Sequence, residues 1–211
     1  MQLRGVIFDL GGVVFPSPFD AFDAYDREAG LPVGSTRGVV RASSEDGAWA
    51  ALERGELTFE QFCAALDAEA RAVAVAMDTA RMMALVGGGL GPRREMVRAA
   101  ERIREEGLRT AALTNNWSHP DGTLEHDGVR ALPLAFDVVV ESAVEGIRKP
   151  DPAIYELVLA RMEIEAREAV FLDDLGINLK PARAIGMTTI KVTDPDVALR
   201  ELEDVLGFAL R

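Results

Sequence analysis

The chain predicts an α/β protein: a doubly wound, Rossmann-like parallel sheet with a helical cap inserted after its first strand. Three observations carry this expectation. Short apolar runs recur at 5–8, 110–113, 138–140, 169–172 and 188–192, apolar on both faces. Strands of a parallel sheet covered on both sides read this way. From residue 92 onward, amphipathic helical patterns with defined ends alternate with those runs, which implies βαβ connections. Residues 18–86 break the alternation, being rich in Ala and Glu with helical periodicity and no strand pattern.

In chain order, the run Gly5–Phe8 leads into Asp9-Leu10-Gly11-Gly12. Residues 17–91 follow as the cap, leaving 1–16 and 92–211 as the core. Within the cap, "LERGELTFEQF" (52–62) reads as helix, turn, helix, with Thr58 as N-cap and Gln61 three residues later. Glu53, Glu56 and Glu60 read as a solvated helix face. Trp49, Met77, Met82 and Met83 read as cap packing, and Cys63 as a core thiol. "GGGLG" (87–91) reads as the return hinge. The segment 92–106 reads as a helix opened by Pro92, with Met96, Ala100 and Ile103 as its stripe and Gly107 as its stop. Asp151-Pro152 opens a helix to 162, with Ile154, Leu157 and Val158 facing inward. Asp194-Pro195 opens the last helix, with Leu199, Leu202 and Leu206 as the stripe and Gly207 as the stop.

Composition narrows the function. The 211 residues suit one domain, or one domain with a modest insertion. A net charge of −12 argues against nucleic acid or an anionic membrane as general partner, since phosphate backbones need a basic face. A small phosphorylated ligand needs only a local positive site. The single cysteine rules out an intrachain disulfide and a cysteine metal site. The apolar span 5–10 is too short and too acidic for a signal peptide, and no run approaches the ~18 apolar residues of a membrane span. A cytoplasmic location is expected.

Chemistry collects at the strand ends, where ligands of open α/β sheets bind. The first run ends in Asp9, the second in Thr114-Asn115-Asn116 and the fourth in Asp173-Asp174, while Lys149 precedes Pro150. Three converging carboxylates against one lysine repel one another unless some protonate or a cation compensates. A hard dication with oxygen ligands, Mg²⁺, fits this inventory. His119 and His126 read as surface residues of a polar loop and make no zinc cluster. Trp117 is open to two readings, loop packing or pocket wall.

"FDLGGVV", "LTNN", "RKPDPAIY" and "FLDD" resemble, in order and spacing, the four motifs of the haloacid dehalogenase superfamily. "LTNNW", "RKPDPAIYELVL" and "FLDDLGINLKPARAIGMTTIKV" are similar in particular to the N-terminal phosphatase domain of soluble epoxide hydrolases. No G-x-S-x-G elbow occurs, so epoxide hydrolysis is not implied. The resemblance implies Asp9 as the nucleophile that forms an aspartyl-phosphate. It implies Thr114 and the Asn115-Asn116 backbone as phosphoryl contacts, and Lys149 as a cation bridging Asp9 and the phosphoryl group. Asp9, the Gly11 carbonyl and Asp174 would hold Mg²⁺, with Asp173 orienting a water of its outer shell. Asn178 either steadies the loop after the acid pair or caps a helix starting near Leu179. The cap would select substrate and exclude water.

Many phosphatases of this superfamily carry a second aspartate two residues after the nucleophile, as general acid and base. Here that position is Gly11. Three readings stay open. The protein cleaves phosphomonoesters with good leaving groups, or has another group in place of the acid. It binds phosphorylated ligands or a partner with little turnover. Or it is a dehalogenase, which needs neither the acid nor Mg²⁺.

Overall fold

The computed structural model describes residues 2–87, 91–117 and 136–211. His119, His126 and most of the 87–91 hinge lie outside the described residues. Five parallel strands form one sheet: β1 (Gly5–Phe8), β2 (Arg109–Thr114), β3 (Val138–Glu141), β4 (Ala169–Asp173) and β5 (Thr188–Lys191). Their order is β3-β2-β1-β4-β5, so β1 is central and the order reverses beside it. Such a switch point opens a crevice at the carboxyl ends of the strands.

All four residues of β1 are buried. Val6 and Phe8 join one core cluster, packed under helices α6 (Arg94–Glu105) and α10 (Pro195–Leu206). Ile7 faces the other cluster, covered by α8 (Pro152–Met162) and α9 (Gly176–Ala184). This alternation is why the run is apolar at every position. At the sheet edge, β5 departs from the expectation: Thr188 and Lys191 are exposed and Ile190 alone is buried, β5 being an edge strand of the sheet among the described residues.

The caps follow the sequence signals. Asp151 and Asp194 accept from the first-turn N–H groups of Ala153 and Val197, and Gly207 ends α10 at φ 81°. Two helix starts differ from expectation. The helix expected at Pro92 begins at Arg94, since the Arg93 N–H is bonded to Val14 O at 2.7 Å and Arg93 is held extended. The helix expected near Leu179 begins at Gly176, because the Leu175 N–H donates to Asp173 Oδ1 at 2.8 Å and sets the first turn there.

Between β1 and α6 lie five helices: α1 (Pro18–Ala29), α2 (Ser35–Asp46), α3 (Ala48–Glu53), α4 (Phe59–Ala72) and α5 (Thr79–Gly87). They enclose their own core of Phe22, Tyr25, Trp49, Phe62, Leu66 and the expected methionines. Trp49 sits at its centre, in edge contact with Phe22, Phe62 and Trp117 at 5.7–5.8 Å. Thr58 and Gln61 make the reciprocal capping box at α4. Cys63 is only half-buried, and burial pushes its thiol up to about 11, with Asp67 and Asp78 adding to the shift. At neutral pH it is a thiol, not a nucleophile. No helix among the described residues is long and apolar enough to cross a membrane.

Candidate active site

Parallel register delivers the acids to one place. Phe8 pairs with Ala112 on one side and Leu172 on the other, so Asp9 emerges beside Asp173. Its N–H stays in the ladder, donating to Leu172 O at 2.8 Å. Carboxylate oxygens of Asp9, Asp173 and Asp174 all lie within 4.8 Å of one another. Lys149 Nζ stands between two of them, 2.8 Å from Asp9 Oδ1 and 2.8 Å from Asp173 Oδ2. The loop that carries Lys149 joins the short helix α7 (Ser142–Glu145) to α8.

Asp173 is fully buried and fully engaged. Besides Lys149 it accepts from Leu175 N–H and from Asn178 Nδ2, which bonds both its oxygens at 3.0 and 3.1 Å. Asn178 thus lies in the first turn of α9 and braces the acid pair. Its carbonyl accepts from the buried Tyr155 hydroxyl at 2.8 Å.

Thr114 is buried at the end of β2 and lines the crevice. The next two side chains turn inward. Asn115 brackets Lys149, accepting its N–H at 2.8 Å and donating Nδ2 to its carbonyl at 3.0 Å. Asn116 donates to Glu141 and accepts from Ala143 N–H, joining β2 to β3 and α7. The Asn116 N–H is also bonded, donating to Ser142 Oγ at 2.9 Å, so of the two backbone N–H groups that of Asn116 already has a partner.

The turn after Asp9 is shaped by two different glycines. At Gly12 φ is +78°, and a Cβ there would overlap the Asp174 carboxylate, so only glycine fits. Gly11 is not so constrained: a Cβ would meet only Pro18 Cδ, at 3.9 Å. A side chain is therefore absent at position 11 without any steric need for its absence. Arg93 staples the turn, its guanidinium donating to the carbonyls of Gly12, Val13 and Phe15 at 3.1, 2.8 and 2.5 Å.

Burial holds the Asp9 carboxyl well above its usual range. Lys149 pulls against that shift, while Asp173 and Asp174 push with it. Asp174 is raised to about 6, by burial first and by Asp173 second. Burial opposes the charge on Lys149, but Asp173 and Asp9 outweigh it and its pKa rises. One buried ammonium thus stands against three clustered carboxylates. A dication placed among them supplies the missing charge, and an all-oxygen donor set suits Mg²⁺.

Beside this cluster, reached through the neighbouring Leu10, Gly11, Thr114 and Asn115, lies a cavity of about 250 Å³ walled on its other side by the helical segment. Its apolar lining comes from Leu10, Phe15, Trp49, Leu85, Val86 and Trp117. Trp117 therefore walls the cavity while its ring packs against Trp49 in the core of the helical segment. A wider depression of about 650 Å³, lined by Glu101, Arg104, Arg109 and Asp137, lies at the amino end of β2 and is remote from these groups.

Glu53 overturns its expectation as a solvated residue. It is buried and lines the cavity. Its carboxylate accepts from Trp49 Nε1 at 2.9 Å, Arg148 Nε at 2.6 Å and Asn115 Nδ2 at 3.3 Å. Burial raises its pKa, opposed by Arg148 and then Trp49. Sequence reasoning missed Glu53, Arg148 and Arg93. The available signal was Arg148 itself, a second cation directly beside the strand-end lysine.

A family model described as a haloacid dehalogenase-like hydrolase matches residues 3–186. Acyl-CoA dehydrogenase family member 10 of Mus musculus is 38% identical over 98% of this chain. Bifunctional epoxide hydrolase 2 of Sus scrofa is 35% identical over 100% of it. The chain spans only 19% and 40% of these two relatives. Sesquiterpene phosphatase astK of Aspergillus oryzae is 27% identical, with 97% of each chain covered. Among solved structures, a HAD family enzyme of Bacteroides thetaiotaomicron in complex with magnesium and inorganic phosphate has a TM-score of 0.61 at 19% identity, covering 90% of this chain and 94% of its own. Sheet order, strand-end acids and these matches agree: the chain belongs to the haloacid dehalogenase-like hydrolases.

Proposed function

We propose that the protein is a Mg²⁺-dependent phosphomonoester hydrolase acting through an aspartyl-phosphate on Asp9, with residues 17–91 as its cap. The observation that carries this is the buried quartet of Asp9, Asp173, Asp174 and Lys149, three carboxylates within 4.8 Å with an ammonium 2.8 Å from two of them. The relatives named as phosphatase and the magnesium–phosphate complex of a fold neighbour support it.

Asp9, Asp174 and the Gly11 carbonyl would hold the ion. When bound, Mg²⁺ neutralises carboxylate charge and polarises the phosphoryl group. Lys149 favours the ionised form of Asp9 against the burial that opposes it, and fixes its carboxylate at 2.8 Å. Asp9 attacks phosphorus, the P–O ester bond breaks, and the ester oxygen leaves with the electron pair. Thr114 Oγ1 and the Asn115 N–H donate to the phosphoryl oxygens, while the Asn116 N–H is taken by Ser142 Oγ at 2.9 Å. Asp173, held by Lys149 and Asn178, braces Lys149 from behind. Water then releases phosphate and regenerates Asp9.

The leaving oxygen finds no acid at Gly11. Nor does Glu53 replace it, since its oxygens accept from Trp49, Arg148 and Asn115. Asp20, the other carboxylate among the described lining residues, is exposed at the cavity; with no acid at Gly11, a substrate whose oxygen leaves without a proton is favoured. No lysine or arginine lines the cavity among the described residues, and its walls are apolar and aromatic. An aryl phosphate meets both conditions, with a flat apolar body and a stable leaving anion.

A panel of phosphomonoesters spanning leaving-group pKa tests this, run with Mg²⁺ and with chelator. Activity should need Mg²⁺ and fall steeply as leaving-group pKa rises. Gly11→Asp, for which the backbone has room, should raise turnover of alkyl esters by about tenfold or more and leave aryl esters nearly unchanged; general acids contribute roughly 10²–10⁴-fold. No turnover on any ester would favour a phospho-ligand binding module. Halide release in chelator would favour a dehalogenase.

Metal binding carries its own pH signature. With its folded pKa at about 6, above the ordinary 3.8, Asp174 adds stability to the metal-free protein at low pH. That stability is lost as pH rises through about 6. Mg²⁺ must displace the same proton. The Mg²⁺-induced rise in Tm should therefore be clearly larger near pH 7.5 than near pH 5. Equal rises at the two pH values would place the ion away from Asp174.

A further inference from the structure

We propose that Glu53 and Arg148 form a clasp through which docking of the helical segment positions the Lys149 loop, so that Glu53 is a positioning residue and not simply pocket wall. The catalytic consequence rests on the hydrolase reading above; the mechanical one does not.

Glu53 ends α3, and its carboxylate is only 8% exposed. A carboxylate so buried persists only when charge and hydrogen bonds meet it from several sides. Here the donors come from three separate parts of the chain. Trp49 belongs to the same helical segment, Asn115 follows β2, and Arg148 immediately precedes Lys149. Arg148 reaches further into the segment, donating NH1 to Ser44 O at 2.8 Å. A second seat lies alongside: at Gly55, φ +69°, a Cβ would overlap Ala143 O, so the turn after α3 rests directly on α7.

The chain of bonds then runs on without a gap. Asn115 Nδ2 is shared between Glu53 and Lys149 O, and Asn115 Oδ1 takes the Lys149 N–H. Lys149 Nζ closes on Asp9 and Asp173. Trp49, which walls the cavity, is thus linked through one carboxylate to the backbone that aims the ammonium. When the helical segment lifts, Arg148 and Asn115 lose their shared acceptor, and the Lys149 backbone loses its brace. When it docks, the brace returns. The site is assembled by the same contact that closes it.

Glu53→Gln is the first variant, because it keeps size and removes charge, and places an amide NH₂ among donors. Arg148→Lys is the second, in case the first folds poorly; a lysine ammonium cannot bond Glu53 and Ser44 at once in the same fork. Hydrogen exchange should quicken by about tenfold or more at the Lys149 amide as well as in α3. On phenyl phosphate and on acetyl phosphate alike, kcat should fall by about 10–100-fold, with KM within about threefold. Unchanged exchange at Lys149 overturns the clasp. So does a loss confined to KM or to the larger substrate, or a kcat on acetyl phosphate within twofold of the parent. If the parent protein turns over neither substrate, the hydrolase reading falls alone, and exchange at Lys149 still decides the clasp.

Discussion

Asp9→Asn is expected to abolish phosphate release while leaving the fold intact. Asparagine keeps the shape of the side chain but cannot serve as a nucleophile that forms an acyl phosphate. Losses on removing a covalent nucleophile reach about 10⁴–10⁶-fold, and the residual rate reflects binding and electrostatics alone. Stability should hold or rise. The Asp9 carboxyl is disfavoured as an anion by burial and by its acidic neighbours, and Lys149 keeps Asp173 as a partner at 2.8 Å. Steady-state turnover and a melting curve on the same sample check both halves. Residual activity within about a hundredfold of the parent would remove Asp9 from the nucleophile's place.

Lys149→Met should do the opposite to stability. The ammonium is 1% exposed and is the shared counter-charge of Asp9 and Asp173. Methionine fills similar volume but leaves two buried carboxylates facing each other. Breaking a buried pair from one side typically costs about 3–5 kcal/mol. The sign with pH follows from which group is left behind. Without Lys149 the Asp9 carboxyl, already raised, is pushed further up, so the variant regains stability as pH falls and Asp9 takes up a proton. Mg²⁺ should return part of the loss, and turnover should be lost with the lysine. Urea unfolding at two pH values, with and without Mg²⁺, measures this. A loss under about 1 kcal/mol would mean that the carboxylates are neutralised by something other than Lys149.

Much of this arrangement was legible before any coordinates. β1 and β4 are buried on both faces, so they are apolar up to Asp9 and Asp173, which stand out as the first charged positions. Asp151 and Asp194 announced their helices because an N-cap side chain is a local device, complete within three residues. Glu53 was not legible for the converse reason. With Glu56 and Glu60 it has the spacing of a solvated stripe, and its burial depends on Arg148, 95 residues away. Arg93 was hidden in the same way. Local rules put the helix start at Pro92, but the Val14 carbonyl held Arg93 extended and released the helix two residues later. Local chemistry was readable, and the resemblance of the motifs supplied the distant Asp9–Lys149 pair; distant partners outside those motifs, as for Glu53 and Arg93, were not.

Arg93 has a bearing on how such a chain can change. Its backbone and guanidinium fasten the point where the chain leaves the sheet, 12–15, to the point where it comes back. Entry and exit of the whole helical insert are thus one spot on the scaffold. Because lengthening a closed loop costs only slowly more entropy, an insert of almost any size can be grafted there without disturbing the strands below. The length of the insert is thus free to vary at its roots, while its seat on the sheet is held elsewhere, where Glu53 meets Arg148 and Asn115.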